Sequence, residues 1–146
     1  MLSPLSGEQC IDAVVKVLID HNLPPKLARA LHVLLEPDHQ VQALREKFGR
    51  SNLKDEEWIR ALSGEGGWAV VSADMRIAKQ RVSRELFVGA GLVGFFLSPA
   101  MQKWQLTRQC ARMLMIWPQM VTLQKTVQRG VFEIPAKGSK FSQIGR

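Results

Sequence analysis

Tyrosine is absent from the 146 residues, and cysteine occurs only as Cys10 and Cys110. Neither stands in a CxxC or near a histidine at metal-ligand spacing, which argues against a disulfide framework or a zinc site and leaves two buried or idle thiols. Also lacking are any run of about 18 apolar residues and any charged-then-apolar leader, so neither membrane nor export is indicated and a cytoplasmic location is expected. No serine or cysteine has a plausible base in its sequence context, which removes support for nucleophilic catalysis. The letters GAGLVG (89–94) fit GxGxxG, but they follow a helical stretch and precede a strand, the reverse of the nucleotide-binding order. Acid is scarce in the second part of the chain: residues 66–146 carry 12 Lys/Arg against 3 Asp/Glu, whereas residues 1–65 carry 8 against 10. A basic surface beside an acidic patch can gather a polyanion and present it to a cation held by carboxylates; a solvated charged face is the plainer alternative.

What is present is a succession of short apolar runs and amphipathic segments. Residues 1–12 show no sustained period and read as an irregular arm, and residues 13–146 are expected to form one domain. AVVKVLID (13–20) has the valine-rich, nearly all-apolar character of a strand covered on both faces. PPKLARALHVLLE then places Leu27, Leu31, Leu34 and Leu35 at helical spacing, with the prolines suited to a first turn. HQVQAL (39–44) alternates as a short strand, and REKFGRSN (45–52) reads as a charged, exposed loop. DEEWIRALSGEGG predicts a helix opened by Asp55 and closed at Gly64, with Trp58, Ile59 and Leu62 inward. WAVVSAD (68–74) repeats the strand-then-aspartate pattern, a basic helical segment follows from Met75, and LVGFFLSP (92–99) reads as another buried strand. Met101–Arg129 reads as helix broken or kinked at Pro118, VFEIPAK (131–137) as a short edge strand, and the tail as loose. The alternation predicts an α/β fold, a three-layer α/β/α sandwich with a mainly parallel central sheet.

Asp20 and Asp74 both end apolar strands that would run parallel, so both should project from one edge of the sheet into one crevice. Asp55, with Glu56 and Glu57 beside it, begins the helix leading into the second of those strands. Carboxylates brought together raise one another's pKa unless a cation offsets them, and Mg²⁺ or Mn²⁺ accepts such oxygen ligands. Each aspartate taken singly reads as a helix cap or turn former before it reads as a ligand, their shared position brings the two readings level, and Glu56 and Glu57 suit a first helical turn. Asn22, two residues before Pro24, is the better-placed cap of the first helix, which leaves Asp20 without an obvious structural task. His21 could touch a substrate phosphate beside Asp20, whereas His32 reads as a surface or satisfied residue. Arg76, Lys79, Arg81 and Arg84 follow Asp74 and would lie at the crevice rim, with Arg108 and Arg112 either extending the track or facing water. Trp58 and Trp68 read as core.

The runs IDHNLPPKLARAL, KDEEWIRAL, GGWAVVSAD with RI after it, GFFL and VFEIPAKGSKFSQI, in that order, resemble the PIN-like domain family of the VapC type over about residues 14–144. The resemblance implies a metal-dependent ribonuclease fold in which acids at the carboxyl edge of a parallel sheet bind Mg²⁺ or Mn²⁺ and direct water onto RNA. Such proteins commonly serve as toxins restrained by a cognate antitoxin protein, and homodimerisation follows by analogy. Matched by motif, Asp20, Asp55 and Asp74 would be metal ligands, with Glu56 or Glu57 assisting, and Asn22, Arg76, Lys79 and Arg81 would meet RNA phosphates. A fourth acid has no firm match, Glu85 being the one nearby downstream. The N-terminal arm departs from the family's usual start. A fold of this kind acting only as an RNA- or protein-binding module is the alternative.

Overall fold

The computed structural model describes residues 15–50 and 52–145. The arm at residues 1–12, and Cys10 with it, lies outside the described residues. Five parallel strands and one antiparallel strand form a continuous sheet in the order β2-β1-β3-β4-β5-β6. They are β1 (Lys16–Ile19), β2 (Gln40–Ala43), β3 (Trp68–Ser72), β4 (Val93–Leu97), β5 (Gly130–Ile134) and β6 (Ser142–Gln143). Helices α1 (Pro25–Leu35), α2 (Leu44–Phe48), α3 (Asp55–Glu65), α4 (Met75–Lys79), α5 (Arg81–Gly89), α6 (Pro99–Gln102) and α7 (Leu106–Val127) connect them. The expected layered α/β architecture with a mainly parallel sheet is what the chain adopts.

Period-two alternation divides the apolar residues between two cores. Val17 and Ile19, Ala69 and Val71, and Val93, Phe95 and Leu97 pack with Leu27 and Leu31 of α1 and with Met113 and Trp117 of α7. Leu18, Val70, Phe96 and Val131 face the other way, onto Trp58, Ile59 and Leu62 of α3, Ile77 of α4 and Phe87 of α5. Strands buried on both faces need apolar residues at consecutive positions, which is why β3 and β4 are buried throughout. Each fully buried Leu or Phe contributes about 1.5–3 kcal/mol relative to exposure.

The chain leaves β1 through α1 on the first face and leaves β3 through α4 and α5 on the second. Because β1 and β3 are neighbours, with Ile19 opposite Val71, their outgoing connections diverge at the carboxyl edge and open a crevice between Asp20 and Asp74. At the opposite flank β2 is an edge strand, and His32 Nδ1 accepts the Val41 N–H at 3.1 Å, satisfying a donor that no further strand takes.

Several local expectations are corrected. The segment read as a loop at 45–52 opens with helix α2, because buried Leu44 anchors one turn that ends at left-handed Gly49 (φ 73°). Helix α3 runs past Gly64 to Glu65 and stops at Gly66, whose φ of 77° suits glycine. The basic segment after Met75 is two helices, since Gln80 is extended (φ −75°, ψ 123°) and serves as the C-cap of α4 and the N-cap of α5. Pro118 does not end α7, which continues through it; Met113, Ile116, Trp117 and Met120 are buried on both sides of the proline and hold the two halves to one core. Strand β5 is not an edge: Phe132 and Glu133 pair with Gln143 and Ser142, so the tail adds β6, and Pro135 falls beyond the paired residues. No described helix is long and apolar enough to cross a membrane.

Candidate metal and nucleic-acid site

Asp20 follows β1 directly and is 1% exposed, an unusual burial for a carboxylate. Its backbone N–H donates to Val71 O at 2.9 Å, fixing it against β3. One carboxylate oxygen accepts the His21 N–H at 2.7 Å and lies 2.9 Å from His21 Nδ1; the other accepts the Ser72 hydroxyl at 2.8 Å. Burial pushes the Asp20 carboxyl above its ordinary value of 3.8, while the Ser72 hydroxyl, the His21 ring and the His21 amide oppose that rise and the charge of Asp55 adds to it. Asp20 is thus a buried carboxylate held by hydrogen bonds from Ser72 and His21.

Ser72, fully buried at the end of β3, joins the two sides of the crevice. Its hydroxyl donates to Asp20, accepts the Asp74 N–H at 2.9 Å and lies 3.4 Å from Asn22 Nδ2. Asn22 Oδ1 in turn lies 3.3 Å from the Ala73 N–H. Asn22 is thus not the cap of α1, whose N-cap is Pro24 without a side-chain hydrogen bond; its amide instead ties the β1 loop to the β3 loop. Ser72 was visible in the sequence only as the first letter of S-x-D, and its role depends on partners some 50 residues away.

Asp74 caps α4, accepting the Arg76 N–H at 3.0 Å, and its two oxygens also accept from Arg76 Nε at 2.9 Å and Nη2 at 2.8 Å. These bonds, the side-chain one foremost, hold the Asp74 carboxyl below its ordinary value despite partial burial. The guanidinium feels Asp55 and Asp20 as well as Asp74, so Arg76 is the cation of the acidic crevice in this arrangement. Asp55 opens α3, half-buried, and one of its oxygens accepts from Trp58 Nε1 at 3.1 Å. Its charge reaches Asp20 and Arg76, yet among the described residues no three His, Cys, Asp or Glu side chains stand close enough together to hold one ion.

The remaining acids have local partners. Glu57 accepts the Lys54 N–H at 3.0 Å at the start of α3, Glu56 pairs with Arg60 at 2.7 Å, and Glu85 pairs with Arg81 at 3.1 Å. Among the basic residues, Arg84 donates to the Ala78 and Lys79 carbonyls and Arg112 to the Pro135 and Gly138 carbonyls. Arg112 therefore clamps the β5–β6 connection to α7. Lys79 is exposed and forms no ion pair among the described residues.

The donor chemistry fits a hard divalent ion: carboxylate, hydroxyl and amide oxygens, with no thiolate or imidazole cluster. Mg²⁺ is commonly held by one or two carboxylates plus waters and substrate phosphates, and Asp20 and Asp74 are the carboxylates of this edge, each with both oxygens engaged by protein donors. No curated protein and no solved structure matches the chain. Residues 15–99, more than half of the chain and the whole of the Asp20–Asp74 crevice, match the family described as PIN like domain, and the protein accordingly belongs to the PIN-like domain family.

Proposed function

We propose that the protein is a metal-dependent nuclease of the PIN-like family that hydrolyses RNA phosphodiesters at the crevice between β1 and β3. The observation that carries this reading is Asp20, a buried carboxylate at the topological switch point, tied through one hydroxyl to the backbone of a second aspartate just beyond the neighbouring strand. Asp20 and Asp74 would hold Mg²⁺ or Mn²⁺, with Asp55 as an outer charge or water-positioning base and Glu56 and Glu57 at the margin. The chemistry that such an ion supplies when bound is activation of a water and neutralisation of charge on the phosphodiester. The protein's own part is orientation. Ser72 and the His21 amide fix the Asp20 oxygens, Asn22 holds the two loops together, and exposed Lys79 offers a phosphate contact. Arg81 and Arg76 join it only on leaving Glu85 and Asp74. The VapC-type toxin role, with a cognate antitoxin protein and a homodimeric state, is the cellular setting that we infer from the sequence motifs.

A binding-module reading is favoured by one observation, the bidentate Arg76–Asp74 pair, which keeps a metal ligand occupied. Incubation of a mixed RNA pool with Mg²⁺, with Mn²⁺ and with EDTA, comparing the parent with Asp20→Asn and Asp74→Asn, separates the two. Cleavage that needs metal and is lost in both variants supports the nuclease. Intact RNA under every condition, with RNA still bound, supports the module.

A further inference from the structure

The carboxyl edge of the sheet carries a second constellation that the acidic crevice does not use. Strand β4, paired beside β3, ends at Leu97, and the chain turns through α6 to Trp104 before α7 runs back. Trp104 therefore sits at the same edge as Asp20 and Asp74. Trp58, Trp68 and Trp117 are buried at 0%, 3% and 3% exposure, whereas Trp104 is half-buried, packed on the core by part of its ring. The Arg108 guanidinium lies over the Trp104 ring, 3.8 Å from its centroid. Such contact restrains the flexible arginine over the indole face.

Arg108 differs from the other arginines near this edge. Arg45 donates to the His21 carbonyl, Arg76 to Asp74, Arg81 to Glu85, and Arg84 and Arg112 to backbone carbonyls. Arg108 has no hydrogen bond or ion pair to a protein oxygen among the described residues, and it is exposed, as is Lys103 in the turn that carries Trp104. A cleft of about 470 Å³ lies between α1 and the start of α7, walled by Lys26, Leu27 and Ala30 on one side and by Gln105, Leu106 and Thr107 on the other.

We propose that the Trp104–Arg108 stack is a base-binding platform for single-stranded nucleic acid. An unstacked nucleobase lies on the outer face of the Arg108 guanidinium, and the neighbouring phosphate meets the donors of Arg108 and Lys103. The proposal rests on the nucleolytic reading above and specifies its substrate: a flexible strand with splayed bases, since a base stacked within a duplex presents no free face to the guanidinium. A planar, weakly hydrated cation backed by an indole suits an aromatic base better than an isolated phosphate, for which a mobile lysine serves as well.

Three buried tryptophans make Trp104 the responsive fluorophore, so the test is a titration of the full chain in EDTA, where no cleavage intervenes. The probes are oligodeoxyadenylate and an abasic oligomer of the same backbone and length. The expected result is quenching of Trp104 emission by oligodeoxyadenylate, and binding of the abasic oligomer about 5- to 100-fold weaker, the range that one stacked base supports. Arg108→Lys, which keeps charge and removes the plane, is expected to lose this preference while retaining binding through phosphate. Equal affinity for the two oligomers, or an Arg108→Lys variant that discriminates as the parent does, overturns the platform. Because Arg108 is exposed, its variants fold irrespective of Trp104 packing. A protein that cleaves nothing under any metal yet prefers bases in EDTA would refute the nuclease and leave the platform standing; one that cleaves but shows no base preference would do the reverse.

Discussion

Replacing Ser72 by alanine removes one hydroxyl that serves both sides of the crevice. The carboxylate of Asp20, almost wholly buried, loses a charge-assisted hydrogen bond of 2.8 Å, a class of interaction that contributes about 1.5–3 kcal/mol. The Asp74 N–H loses its 2.9 Å acceptor, for about 1 kcal/mol more. The two losses share one atom and do not simply add, so the expected destabilisation is about 2–4 kcal/mol. The pH dependence identifies the cause. Burial raises the Asp20 carboxyl and the Ser72 hydroxyl opposes that rise, so the variant's carboxyl titrates higher still. A carboxyl whose folded pKa is raised costs the fold stability as pH rises from its ordinary value through the folded one. The gap between parent and variant should therefore be wider at neutral pH than in acid, where Asp20 is protonated in both. Urea unfolding followed across this range measures it. A variant within about 0.5 kcal/mol of the parent at neutral pH, or a gap that widens in acid, would refute the view that Ser72 stabilises an ionised, buried Asp20.

Arg76→Gln frees both oxygens of Asp74 from the guanidinium, and calorimetric titration with Mg²⁺ should show several-fold tighter binding than in the parent; unchanged or weaker binding would mean that Arg76 is no competitor for the crevice. Asp74→Ala removes the cap of α4 and should cost about 1 kcal/mol. Since the Asp74 carboxyl is held below its ordinary value, this contribution is present above 3.8 and disappears as pH falls through the folded value, which acid unfolding of the two proteins would show. Gly94→Ala places a Cβ 2.8 Å from Phe96 and 2.9 Å from Phe87, rings that are packed in a buried layer, and the expected loss is about 1–3 kcal/mol by denaturant unfolding.

The parts of the fold that could be read from the sequence are those whose signal is local and repeated. WAVVS, apolar up to its final serine, and VGFFL read as strands covered on both faces, and the aspartates after the first and third strands were visible as the last letters of their runs. The same reading missed elements whose cause lies elsewhere in the chain. Ser142 and Gln143 are exposed and carry no strand pattern; they become β6 because the free edge of β5 offers them hydrogen bonds. Helix α2 has only five residues and forms because Leu44 is buried and Phe48 packs against the second core. The tie from Asn22 to Ser72 and Ala73 spans the length of two connections, and no spacing within either loop announces it. Trp104 and Arg108, four residues apart, could have been paired from helical spacing, although Trp104 lies in the turn that precedes α7 and not in the helix itself.

In the proposed nuclease, Asp20 stands at the mouth of β1 to hold a divalent cation. Titration of the metal-free protein with Mn²⁺, following the paramagnetic resonance of the free ion, tests it without reference to any substrate. The account predicts a bound ion in the parent and a loss of that binding in Asp20→Asn, with the fold retained. Binding that is equal in the two proteins, or absent from the parent, would contradict it.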